Sequence, residues 1–203
     1  MTTVRFLFPG GRTGERLLDI PSSGELRIPA SEIPQGAQFV EIHSEPFTAS
    51  AGEDGYFVIP SIENNGHAAL TTFRKRPDTE SVFDRNTMPV YAVRHGEKGC
   101  LAVVAGMSLE YALVVGVREN AYYLYPRFLL EDGKAYEDIV IRFFELTGKD
   151  ANYSGAARRY RAYQLERGAC IPLKERSKRY PVLAEAARGP EVRIRLAWKP
   201  VPP

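Results

Sequence analysis

The sequence is short of the side chains that most often carry chemistry: its 203 residues include three histidines, two cysteines and one tryptophan. Cys100 and Cys170 show no CxxC or Cys/His spacing, which excludes a zinc-finger pattern and a disulfide framework and leaves two free thiols. His43, His67 and His95 stand apart, with no i, i+4 pair of the HExxH type, so structural or surface roles are expected and no metal site. A GxSxG elbow is absent. Gly10-Gly11-Arg12-Thr13-Gly14 is glycine-rich but is followed by neither Lys-Ser/Thr nor a helix pattern, and it reads as a hairpin loop and not a phosphate cradle. No cofactor is expected.

Charge of one sign is also lacking. Against 27 basic residues stand 25 acidic ones, a net charge of +2, too balanced to attract nucleic acid. The local exception, Arg158 to Arg179, reads as a solvated helix face. No apolar run approaches the roughly 20 residues that span a bilayer, and Met1 to Pro9 lacks the charged and apolar regions of a signal peptide. A cytoplasmic location with no membrane partner is the expectation.

What the chain has in plenty is short apolar or alternating runs divided by turn residues. Val4–Phe8, Arg16–Ile20, Glu25–Ile28, Gln38–His43, Tyr56–Ile59 and Ala68–Phe73 are separated by Pro9-Gly10-Gly11, Pro21-Ser22-Ser23-Gly24, Pro34-Gln35-Gly36 and Asn64-Asn65-Gly66. Longer strands are predicted over Val90–His95, Cys100–Ala105, Leu109–Arg118, Tyr122–Leu130 and Asp138–Leu146, the first two joined by a turn at Gly96-Glu97-Lys98-Gly99. Arg142 and Glu145 interrupt the alternation of the last strand, which implies a bulge or cover on both faces. Arg74 to Glu80 has no periodicity and reads as an exposed loop. Tight turns imply antiparallel pairing, so the fold class is mainly β, an antiparallel sandwich over residues 1–148.

After it the period changes from two to 3.6. Asp150 is placed to cap a helix over Ala151–Arg167, with Tyr153, Ala156, Ala157, Tyr160, Tyr163 and Gln164 on one stripe and Arg158, Arg159, Arg161 and Glu166 pointing away. Gly168 sits where a left-handed C′ residue belongs. Residues 149–203 thus form a helix and a mixed segment, with helical turns over Leu173–Tyr180 and Val182–Arg188. An alternating strand, Val192 to Trp198, then leads into Lys199-Pro200-Val201-Pro202-Pro203, which reads as a linker or a cut.

Two groups of residues invite a chemical reading. Glu41, Glu45, Glu53 and Asp54 cluster in sequence around a turn, where solvated acids are the default. Tyr122, Tyr123, Tyr125 and Arg127 lie close together in one strand. Their rings could pack in a β core, as aromatics commonly do, or stack on the apolar faces of sugar rings while the arginine donates to hydroxyls.

Three separated pieces carry a resemblance: Gly52-Glu53-Asp54-Gly55-Tyr56-Phe57-Val58-Ile59-Pro60; Met88-Pro89-Val90-Tyr91; and Phe144 to Tyr153, continued by Ala157-Arg158-Arg159-Tyr160-Arg161-Ala162-Tyr163. Together they resemble the N-terminal region of bacterial glycoside-hydrolase-like proteins. In those proteins a β-supersandwich of the galactose-mutarotase-like type, with a GYxxxP strand and a PVYG-like strand, leads through a helix into a TIM-type barrel that holds the catalytic carboxylates. Two departures stand out: Ser61 to Gly66 replaces the family's short turn, and Ala92 stands for the glycine of PVYG. The resemblance implies a carbohydrate ligand for the larger protein, a C-terminal barrel as partner in the same chain, and no catalytic residue within these 203. A carbohydrate-binding module and a mutarotase-like sugar epimerase are the alternatives.

Overall fold

The computed structural model describes residues 1–19, 24–61 and 69–186. Thirteen strands are described: β1 Thr2–Leu7, β2 Thr13–Leu18, β3 Gly24–Ile28, β4 Phe39–Ser44, β5 Thr48–Ser50, β6 Gly55–Ile59, β7 Ala69–Thr72, β8 Thr79–Phe83, β9 Val90–His95, β10 Lys98–Gly106, β11 Tyr111–Arg118, β12 Ala121–Leu129 and β13 Ile139–Thr147. They are followed by helices α1 Tyr153–Glu166, α2 Leu173–Arg179 and α3 Val182–Ala186. Two compact units, Met1–Arg161 and Ala162–Pro203, divide the chain within α1. The strand expected over Val192 to Trp198, the turns at Pro21–Ser23 and Asn64–Gly66, and His67 lie outside the described residues.

Every described strand pairing is antiparallel. The first sheet runs β2-β1-β4-β12-β11-β8, with β5 also on β12; the second runs β3-β13-β10-β9-β6-β7. Val4, Ile42, Leu113 and Phe128 of the first sheet and Phe57, Tyr91, Val104 and Ile141 of the second belong to one buried apolar cluster, which makes the fold an antiparallel β-sandwich. Two of the expected turns close hairpins, β1 with β2 and β9 with β10, whereas the strands on either side of Pro34-Gln35-Gly36 lie in different sheets. Gly10 and Gly11 carry φ of 75° and 78° between β1 and β2, and Gly96 carries 54° in the turn between β9 and β10.

One strand is broken on purpose. β4 pairs with β12 through Glu41 opposite Arg127, and β5 pairs with it farther along through Thr48 opposite Tyr123. Between them Glu45-Pro46-Phe47 makes a single 3-10 turn that sends Phe47 into the core, 4.6 Å from the Tyr91 ring and 6.3 Å from that of Phe143. Full burial of one such ring contributes about 1.5–3 kcal/mol. Pro126, which has no N–H to donate, lies in the stretch of β12 that the break leaves without a ladder on this side.

The first and third pieces of the resemblance meet on the outer side of the second sheet, while the second, Met88 to Tyr91, leads into β9 with Tyr91 in the core. β6 and β9 are neighbours, with Gly55 opposite His95 and Val58 opposite Ala92. The Tyr56 hydroxyl accepts the Tyr153 N–H at 3.2 Å, and the Arg159 guanidinium lies 4.2 Å above the Phe144 ring. These residues therefore form a packing seam under the start of α1. β13 is covered on the inside by the core and at Phe144 on the outside, and the accompanying bulge is carried by its partner β10 between Val104 and Gly106.

Three local expectations need correction. The cap of α1 is Asn152, whose Oδ1 accepts the Gly155 N–H at 2.9 Å; Asp150 ends a preceding 3-10 turn and instead binds Arg158 at 2.6 Å. The buried stripe contains Gly155, Ala156 and Tyr163, whereas Ala157 and Tyr153 are exposed and Arg159 lies over Phe144. Adjacent helix positions are turned by about 100°, so Ala156 and Ala157 cannot both sit at the centre of one contact. Finally, the loop read from Arg74 to Glu80 ends in strand β8, which is paired with β11 at the sheet edge. Thr79-Glu80-Ser81-Val82 is exposed throughout, and an edge strand wet on both faces has no alternation to reveal it.

Candidate functional site

Alternation along β12 separates the residues that the sequence grouped. Tyr122, Leu124 and Phe128 point into the core, so Tyr123, Tyr125 and Arg127 face outward. Tyr122 is fully buried beside Phe73, and its hydroxyl donates to the Arg74 carbonyl. It is a core residue and presents no face to a sugar.

On the outer face Arg127 stands directly opposite Glu41 of β4, which stands opposite Arg5 of β1, which stands opposite Glu15 of β2. The row alternates in charge across four strands. Arg127 Nε donates to Glu41 Oε1 at 2.7 Å and Arg5 Nε to Glu15 Oε1 at 2.8 Å. The other Glu41 oxygen is 3.0 Å from His43 Nε2. Burial pushes the Glu41 carboxyl upward, but the hydrogen bonds from His43 and Arg127 outweigh it and hold the group below the ordinary glutamate range.

Tyr125 closes this cluster. Its ring lies 3.9 Å from that of His43, centroid to centroid, and its hydroxyl donates to Glu80 Oε2 at 3.3 Å, while Arg127 Nη2 reaches Glu80 Oε1 at 3.2 Å. Burial, with the nearby carboxylates Glu41 and Glu80, drives the Tyr125 phenol well above its usual value, so it remains a donor. Tyr125 is only 7% exposed. The cluster is thus internally satisfied, and Glu41, both of whose oxygens are engaged, is not available as a general base.

Beside it lies a groove of about 720 Å³, within the roughly 300–1,000 Å³ common for small-ligand sites. Thr48, Glu80, Gly116, Arg118, Tyr123 and Tyr125 are among its lining residues. Across its floor the register aligns Glu80, Gly116, Tyr123 and Thr48 on four successive strands. Tyr123 is half-buried, and its hydroxyl has no hydrogen-bond partner among the described residues. Glu80, Gly116 and Thr48 carried no functional reading from the sequence. A glycine inside Val114-Val115-Gly116-Val117 was the signal that could have marked the floor.

The remaining candidates are tied down elsewhere. Glu53 Oε1 meets His95 Nδ1 at 2.5 Å, the other ring nitrogen lies 2.9 Å from the Pro46 carbonyl, and Asp54 takes two bonds of 3.1 Å from Arg94. Glu45, at the break between β4 and β5, binds the amino group of Met1 at 2.9 Å. Glu41, read as one of the acids around a turn, lies within β4 and is buried. Among the described residues no group of His, Cys, Asp and Glu is arranged to hold a metal ion, and no helix is long and apolar enough to cross a membrane.

No family model matches the sequence, and no curated protein sequence matches it. Solved structures do. The α-N-acetylgalactosaminidase NagBb from Bifidobacterium bifidum, ligand-free, aligns with a TM-score of 0.57 at 16% identity over 88% of this chain and 30% of that one. Its complex with Gal-NHAc-DNJ gives 0.57 at 17% identity over 88% and 30%, and a quadruple mutant gives 0.56 at 16% over 79% and 27%. The likeness is to part of a glycosidase. The chain spans less than a third of the length of these structures, and at such identity the similarity is one of fold.

Proposed function

We propose that this chain is a non-catalytic β-sandwich domain of a larger glycoside hydrolase, one that braces the catalytic barrel and offers a carbohydrate-binding face on its first sheet. The observation that carries the reading is the groove itself: Tyr123 projects from a rigid sheet into an open trough with Thr48 and Glu80 near it, and the buried Tyr125 lines the wall beside it. Aromatic faces stack on the C–H faces of a sugar ring, while hydroxyl and carboxylate oxygens accept from its hydroxyls. The fold shared with part of a glycosidase supports the association with that class of enzyme. Arg127 serves by holding Tyr125 and Glu80 in place, since its guanidinium is already committed to Glu41 and Glu80.

A mutarotase-like reading requires a histidine and a carboxylate poised across a cleft. His43 and Glu41 lie side by side, with the carboxylate buried and bonded at both oxygens, which disfavours that chemistry. Titration of the 203-residue chain with neutral oligosaccharides, followed by amide chemical shifts, should move the resonances of Tyr123 and Thr48. The same chain should release nothing from a panel of aryl glycosides. Reproducible turnover, abolished by replacing one carboxylate within the chain, would refute the proposal.

A further inference from the structure

Four glycines in or beside the strands invite the question of what a side chain would meet there. At Gly55 a Cβ would lie 2.0 Å from the Arg94 carbonyl oxygen, at Gly106 2.3 Å from that of Asp138, and at Gly99 2.7 Å from that of Val93. Those positions are bare because the backbone leaves no room. Gly116 is different: a Cβ there would meet nothing within 4 Å, and its φ is not in the left-handed region. It sits in β11, between β8 and β12, where glycine weakens a strand and valine would strengthen it. Its absence of a side chain answers no need of the fold.

Gly116 is also the floor of the groove, opposite Glu80 on one side and Tyr123 on the other. Tyr123 and Glu80 therefore rise on either side of a gap one strand wide. The charges lining the groove balance: the Met1 amino group, Arg5 and Arg118 stand against Glu45, Asp78 and Glu80. A trough with no net field and an aromatic wall suits an uncharged polyhydroxylated ring.

Building on the carbohydrate-binding reading, we propose that Gly116 is the specificity-determining floor of a seat for one neutral pyranose ring. The ring stacks against Tyr123 and occupies the space that any side chain at position 116 would fill, while Glu80 and Thr48 receive its hydroxyls. Access to the seat is therefore set by a residue that contributes no contact beyond its bareness.

The test compares wild type, Gly116→Val and Tyr123→Ala by amide chemical-shift titration with methyl β-galactoside, methyl β-glucoside, N-acetylgalactosamine and glucuronate. In the wild type a neutral sugar should shift the amides of Gly116, Tyr123 and Thr48 and saturate. Gly116→Val should weaken that binding at least tenfold while the melting temperature stays equal or rises, which separates a filled seat from a damaged fold. Tyr123→Ala should weaken it comparably. If Gly116→Val binds the neutral sugar as wild type does while Tyr123→Ala does not, the seat is overturned and the carbohydrate-binding face stands. If glucuronate binds better than the neutral sugars, the neutral-ring assignment is overturned. If the wild type binds none of the four, the seat and the face fall together.

Discussion

Arg127 and Glu41 face each other across β12 and β4 with Nε 2.7 Å from Oε1, and the Glu41 side chain is 5% exposed. This pair joins strands that lie 86 positions apart in the chain. Removing one partner of a fully buried pair costs about 3–5 kcal/mol. Arg127 keeps 24% of its side-chain exposure, which lowers the expected cost of Glu41→Gln to about 1–3 kcal/mol. Urea midpoints of the two proteins at pH 7 check it; coincident curves would show that the pair contributes nothing.

The same pair gives a pH dependence of defined sign. Glu41 titrates lower in the folded protein than its ordinary value of 4.5, so its contribution is complete above that pH and is lost as pH falls through the depressed folded value. The stability gap between wild type and Glu41→Gln should be open at neutral pH and close progressively as pH falls below 4.5. A gap that widens on acidification would reverse the assignment.

At the start of α1, Ala156→Arg and Ala157→Arg should behave oppositely. Ala156 is 5% exposed, and a long cation there overfills a close contact at a cost of about 1–3 kcal/mol or more. Ala157 faces solvent, and its substitution should stay within about 0.5 kcal/mol of the parent. Equal melting temperatures for the two variants would mean that the helix is turned differently on its sheet.

Tyr122→Phe should lose about 1 kcal/mol, because the part-buried hydrogen bond from the Tyr122 hydroxyl to the Arg74 carbonyl is lost, whereas Tyr123→Phe should leave the unfolding midpoint unchanged. If Tyr122→Phe is neutral and Tyr123→Phe destabilises, the inward and outward faces of β12 have been exchanged.

The two thiols should differ in reactivity. Cys100 is buried, and burial pushes its thiol up to about 12, while Cys170 is exposed. A disulfide reagent at pH 8 should titrate one thiol in the native protein and two in guanidinium. Two fast thiols in the native protein would contradict the packing around β10.

The sandwich was legible because turn residues and period-two runs report directly on half-buried antiparallel strands, and β9, β10, β11, β12 and β13 fall where the alternation placed them. β8 and β5 were not. One is exposed along its length, and the other is three residues beyond a break that only its partner strand explains. The aromatic run 122–128 is visible in the sequence, but consecutive strand residues point to opposite faces, which puts Tyr122 in the core and Tyr123 on the outer face. Glu41, Glu80 and Thr48 come from strands distant in sequence from β12. Their meeting depends on sheet order, which local pattern does not encode.

The interrupted strand has a consequence for how the molecule comes into being. β5, which ends at Ser50, has β12, starting at Ala121, as its one described partner, whereas β4 already has β1 on its other side. During synthesis from the N-terminus, one bank of the groove must wait about seventy residues for the other, and pairings of such long sequence separation close slowly. Until that seam zips, Thr48 has no Tyr123 opposite it, so the trough lacks one of its walls and exists only in the finished sheet.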